Sequence, residues 1–163
     1  VNLPFKPDDK LLEIGGGESP VIRPNLDIRP MPTVDIVADF RKPLPFADGE
    51  LDGIFSKFCI EHVKLGELKW HLRDVYRCLA PGGNFVVVTA NLYEQARYIM
   101  SHKWDIDSVQ MVFGGSPDYE FNFHHVGFSP SYICELMREA GFSRVIVSPW
   151  PGAVTDMLVE ATK

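Results

Sequence analysis

"LLEIGGGESPVIRPNLDIRP", Leu11 to Pro30, sets the tightest limit on what this chain can fold into. An apolar strand runs into three glycines, as it does where many α/β folds open a cofactor site. A long helix should then carry the chain back to a second strand. Ser19 can cap such a helix and Pro20 can begin it. Pro24, however, pushes Arg23 towards an extended conformation, so at most one turn fits before Asp27 ends the next strand.

The missing helix discriminates between cofactors. Dinucleotide folds seat a pyrophosphate on the free N–H groups and dipole of the helix that follows the glycines. Without that helix the phosphate site is weak, and "GGGE" does not fit GxGxxG. A cofactor without phosphate needs less: glycines that let the backbone approach, a carboxylate for ribose hydroxyls and a polar group for adenine. Asp27 and Asp39 end the second and third strands, where those groups are needed. S-adenosylmethionine fits this set better than NAD or ATP.

The rest of the chain reads as alternating strands and helices, with no repeat, linker or low-complexity tract. Strands are expected at Lys10–Gly15, Asn25–Ile28, Val34–Ala38 and near Leu51–Phe58. Leu68, Leu72, Val75 and Leu79 recur at helical spacing from Leu65, and "PGG" (Pro81–Gly83) stops that helix. "FVVVTA" is a central strand covered on both faces. "NLYEQARYIMSHK" reads as a helix, and Trp104 to His125 as irregular or hairpin-like. Ser129 caps a last helix with Pro130 at its first position, and Gly141 ends it. "SRVIVSP" and "TDMLVEAT" close the chain as a strand pair. The pattern is that of an α/β sheet. The first strands alternate apolar and polar residues, which fits a sheet covered mainly on one face. The thin face then calls for cover from the N-terminal segment or a second subunit, a homodimer.

Composition agrees with one globular domain over residues 1–163. The chain is 45% apolar and 23% charged. A net charge of −6 argues against nucleic acid as a partner, and no apolar run reaches membrane-spanning length. No signal peptide is visible, though the chain opens on Val1 without Met, which leaves open what precedes it. Cys59, Cys78 and Cys134 read as reduced thiols of a cytoplasmic protein. Neither they nor the five histidines have zinc-ligand spacing, so no metal is expected.

Several pieces in this order resemble the class I S-adenosylmethionine-dependent methyltransferases over nearly the whole chain. They are "LLEIGGG", "NLDI", "VADF", "LPFADGELDGIFSKFCIEHV", "RCLAPGGNFVVVTAN" and "FSPSYICELMREAGF". The short return, with "FGGSPDYEFNFHHVGFS" later, is similar to a compact subgroup of methyltransferases of lipopolysaccharide or glycan biosynthesis. The resemblance implies a Rossmann-like fold: a mainly parallel seven-stranded sheet with one antiparallel strand, its first-half helices reduced to loops. It also implies S-adenosylmethionine as cofactor and S-adenosylhomocysteine as product. By position, Glu13, Gly15 and Gly17 line the methionine end, with Gly16 in the same turn. Asp27 binds the ribose hydroxyls and Ile28 packs on adenine. Asp39 and the Phe40 backbone meet the adenine's polar edge, and Lys57 and Phe58 flank the cofactor.

The sulfonium is already an activated methyl donor, so the protein must mainly align the acceptor and exclude water. A base is needed only where the acceptor loses a proton. His124 is the first candidate, helped by Glu61 or His62, where the family often carries "EH". The expected activity is methyl transfer to a hydroxyl or amine of a small molecule or glycan precursor. The alternatives are a non-catalytic module that binds S-adenosylmethionine or S-adenosylhomocysteine, and a nucleotide-dependent oxidoreductase. His71 and His102 are expected on solvated helix surfaces. Tyr119, Phe121, Phe123 and Phe128 are expected to pack locally, as are Trp104 and Trp150.

Overall fold

The computed structural model describes residues 3–101, 106–116 and 119–163. The strands β1 (Leu11–Ile14), β2 (Asn25–Asp27), β3 (Ile36–Val37) and β4 (Leu51–Lys57) follow one another through loops that contain no helix. A single 3-10 turn at Ile60–His62 leads into α1 (Leu65–Cys78) and β5 (Leu79–Ala90). Next come α2 (Leu92–Ser101), α3 (Ile106–Phe113) and the hairpin of β6 (Gly114–Ser116) with β7 (Tyr119–Phe123). The chain closes with α4 (Pro130–Ala140), β8 (Arg144–Pro149) and β9 (Asp156–Thr162).

Seven strands form one sheet in the order β3-β2-β1-β4-β5-β9-β8. The pairs from β3 to β5 are parallel, and β9 runs antiparallel to both its neighbours. The sheet is therefore mainly parallel with one reversed strand, as the resemblance implies, and helices are absent from its first half. The stretch read as irregular or hairpin-like does hold a hairpin, preceded by α3, a helix that the sequence pattern did not announce.

The two faces of the sheet are built differently. On one, Leu12, Ile14, Leu26, Ile54, Phe85, Val87 and Val159 meet α1 and α4 through Leu68, Leu72, Val75, Ile133, Leu136 and Met137. Burying each such side chain contributes about 1.5–3 kcal/mol before chain entropy is counted. The ends of α4 are fixed as expected: the Ser129 hydroxyl accepts the Tyr132 N–H at 3.2 Å, and Gly141 takes φ 118° to end the helix. His71 belongs to this face, not to the solvated surface: it is fully buried, with its ring edge-on to Phe40 at 4.9 Å. It lies between Leu68 and Leu72 on the inward stripe of α1, so helical spacing outweighs its polarity. His102 and Trp104 lie outside the described residues.

The other face carries a smaller cluster of Ile22, Phe55, Val86 and Val88. Among the described residues, Leu3 and Phe5 of the N-terminal segment cover it, with Leu11, Trp150 and Leu158. Gly53 makes that cover possible. A Cβ there would sit 2.4 Å from the Phe5 ring and 2.7 Å from Leu11. Of the two covers expected from the sequence, the N-terminal segment fills this role.

Candidate active site

The carboxyl ends of β1, β2, β3 and β4 converge, as ligand sites do in open α/β sheets. Side chains do the work of the absent first helix. The buried Glu13 carboxylate accepts the N–H groups of Val21 and Ile22, each at 2.6 Å. Asn25 accepts the Gly16 N–H at 3.0 Å and donates to the Thr33 carbonyl at 3.1 Å. The Thr33 hydroxyl donates to the Gly17 carbonyl at 2.7 Å. Asp27 accepts the Gly17 N–H at 3.1 Å. In this way the glycine turn and its short return are tied to β1 and β2 through buried polar groups, which low dielectric strengthens once they are satisfied.

A cavity of about 340 Å³ opens beside this turn. Of the cofactor residues expected from the sequence, Gly15, Asp27, Ile28, Asp39, Phe40 and Phe58 line it. Gly16 and Gly17 form the turn behind Gly15. Glu13 faces the return loop instead of the cavity lining. Lys57 places its ammonium 5.6 Å from the Phe58 ring centroid and 5.9 Å from that of Trp150, also away from the lining.

The structure adds residues that the motifs did not single out: Arg29, Arg41, Cys59, Phe121 and Asn122. The two arginines repeat one device. Asp27 accepts the backbone N–H of Arg29 at 2.9 Å and its Nε at 3.2 Å. Asp39 likewise accepts the Arg41 N–H at 3.0 Å, its Nε at 2.9 Å and its Nη2 at 3.0 Å. The Arg41 guanidinium holds the Asp39 carboxyl below the usual range. The signal was present in the sequence as "DIR" and "DFR" at consecutive strand ends. A carboxylate has about four acceptor positions, so each Asp retains capacity for a ligand hydroxyl or amine. Phe121 was expected to pack locally; it stands at the cavity wall with Arg41 5.1 Å above its ring. Phe128 is buried, as expected, whereas Phe123 is 45% exposed.

The candidate catalytic residues meet at one edge of the cavity. The Glu61 carbonyl accepts the His125 N–H at 2.8 Å and the Val126 N–H at 3.3 Å, pinning the loop before α4 onto the turn after β4. That contact brings His124 to His62, with ring centroids 4.9 Å apart. His62 Nδ1 faces the Phe123 carbonyl at 3.2 Å, and His124 Nδ1 faces the Val112 carbonyl at 3.1 Å. Burial lowers the pKa of both rings, which favours neutral imidazoles. Burial also pushes the Glu61 carboxyl up to about 7.

Residues 19–87 match the methyltransferase domain family. No curated protein sequence matches the chain. Among solved structures, a possible histamine N-methyltransferase of Thermotoga maritima superposes with a TM-score of 0.67 at 19% identity, over 98% of this chain and 84% of that one. The chain has a class I S-adenosylmethionine-dependent methyltransferase fold. An S-adenosylmethionine-dependent methyltransferase of Mesorhizobium loti has a TM-score of 0.66 at 16% identity, over 95% and 91% of the two chains. The 1,6-didemethyltoxoflavin-N1-methyltransferase of Burkholderia thailandensis, solved with its acceptor and S-adenosylhomocysteine, has a TM-score of 0.62 at 17% identity. It covers 95% of this chain, which spans 71% of that one. These likenesses establish the methyltransferase fold; the matched segment runs from the glycine return to β5.

Chemically, the site combines two arginine-braced carboxylates, a glycine turn and an aromatic wall with a histidine pair whose burial favours the neutral form. The first three suit an adenosine-bearing ligand. The last suits proton removal or lone-pair donation.

Proposed function

We propose that this methyltransferase transfers the methyl group of S-adenosylmethionine to a hydroxyl or amine of a small molecule, releasing S-adenosylhomocysteine. The observation that carries the reading is the cavity between the glycine turn, Asp27 and Asp39, with the histidine pair at its edge. Asp27 holds the ribose hydroxyls, Asp39 and the Phe40 backbone hold the adenine edge, and Ile28 packs on the ring. Gly15 lets the backbone approach the methionine end. His124, with His62 beside it, takes the proton of the acceptor as the methyl arrives. The solved N-methyltransferases support a small acceptor. A glycan precursor is the narrower reading and rests on the resemblance of the "FGGSPDYEFNFHHVGFS" segment.

Titration calorimetry with S-adenosylmethionine, S-adenosylhomocysteine and NAD is the first test. Binding of the two sulfur ligands without NAD is expected; NAD binding alone would reject the reading. Release of S-adenosylhomocysteine with a panel of amines, phenols and sugar hydroxyls then separates an enzyme from a non-catalytic binder.

A further inference from the structure

We propose that Glu61, His62 and His124 form a binding site for one first-row divalent cation at the edge of the cavity. One ligand atom from each of the three lies within 4.8 Å of the other two. Ligands on a common ion at about 2.0–2.2 Å stand roughly 3–3.5 Å apart, so the three close by about an ångström around it.

Glu61 supplies the strongest argument. It is 1% exposed. Its carboxylate lies near the Thr89 hydroxyl and the backbone N–H groups of Cys59 and of Glu61 itself, but is within hydrogen-bonding geometry of none. A buried carboxylate without partners costs several kcal/mol unless it is protonated or holds a cation.

The histidines point to the same conclusion. Each turns Nδ1 towards a backbone carbonyl, Phe123 for His62 and Val112 for His124. That contact places the ring proton on Nδ1 and leaves Nε2 as the lone-pair nitrogen, the orientation that carbonyl partners impose on metal-bound histidines. At His124, Gly114 keeps the Nε2 edge clear: a Cβ there would stand 2.9 Å from Nε2.

Two imidazoles and one carboxylate select zinc, iron, cobalt or manganese over magnesium or calcium, which prefer oxygen. Three protein ligands also leave coordination positions for an outside molecule. His62 lines the cavity, which puts the site at its edge. Resting on the methyl-transfer reading, the ion would hold the acceptor oxygen and lower its pKa. The hydroxyl gives its proton to solvent, the oxygen takes the methyl, and the sulfonium leaves as a neutral thioether. With the ion bound, His124 is a ligand; it serves as the base in the metal-free protein. Ion binding itself does not depend on that reading.

The test uses metal-freed protein titrated with cobalt(II), without cofactor or acceptor. Saturation at one equivalent with visible ligand-field absorption, displaced by zinc, is expected. His62→Ala, His124→Ala and Glu61→Gln should each weaken binding at least tenfold, while His125→Ala at the exposed neighbour leaves it unchanged. Circular dichroism on each variant reports folding, and S-adenosylhomocysteine calorimetry on the wild-type protein reports the cofactor site separately. X-ray absorption on zinc-loaded wild-type protein gives an answer that needs no variant. A first shell with two imidazoles supports the site. A shell without imidazole, no stoichiometric binding, or binding that survives both histidine substitutions overturns it.

Discussion

The rings of His62 and His124 meet at 4.9 Å, although one follows β4 and the other precedes α4. What joins them is the Glu61 backbone carbonyl, which accepts from both His125 and Val126. The candidate chemistry therefore depends on a contact between two loops, each held by the sheet.

Glu13 should matter for stability. Glu13→Ala leaves the buried Ile22 N–H without an acceptor and the part-buried Val21 N–H to solvent, a loss of about 1–3 kcal/mol. Glu13→Gln keeps an acceptor oxygen and should recover part of it. Denaturant melts of both variants check the order; equal stability in all three proteins would refute it.

Asp27 should matter for cofactor affinity. A hydrogen bond to a charged group is worth about 1.5–3 kcal/mol, so Asp27→Asn should weaken S-adenosylhomocysteine roughly tenfold or more. Because Asn keeps an acceptor for the Gly17 N–H, the melting temperature should move less than it does in Asp27→Ala. Calorimetry beside a thermal melt separates the two effects.

The N-terminal cover predicts a coupled pair. Gly53→Ala drives a Cβ into the Phe5 ring, and overpacking of this kind costs about 1–3 kcal/mol. Phe5→Ala should cost a similar amount through lost burial. Combined, the two should cost less than their sum, since the second removes what the first collides with. Strict additivity in a double-mutant cycle would argue against the contact.

His71 should make the protein acid-sensitive. Burial lowers its pKa to about 4, below the value near 6.5 of an unfolded histidine. Between these values the unfolded chain binds a proton that the folded one refuses, so His71 contributes a loss of stability as pH falls from about 6.5 to about 4. The contribution is at most about 3 kcal/mol. His71→Leu should flatten that slope, which denaturant melts at a series of pH values can read directly.

Much of this fold was legible because local signals agreed. The glycine turn, the Asp27 and Asp39 strand ends, and the Ser129, Pro130 and Gly141 punctuation of α4 each carry their own chemistry. α3 is only eight residues long and directly precedes the β6–β7 hairpin, so its helical spacing is hard to separate from the hairpin pattern. His71 was misjudged by weighing its polarity above its place between Leu68 and Leu72. Arg29 and Arg41 were visible as a repeated "DIR"/"DFR" but had no role until a cavity gave them one. Glu61, His62 and His124 were named together through the resemblance alone; backbone bonds between distant loops are what bring His124 to the other two.

The Glu13 anchor has a consequence for how this protein comes apart. A glycine turn followed by a long helix can loosen while the strands beneath it stay paired. Here the return loop hangs from a carboxylate on β1 itself, inside the sheet. Heating should therefore erase the binding pocket and the sheet in one cooperative transition, with no stage at which the domain is folded but unable to hold its ligand.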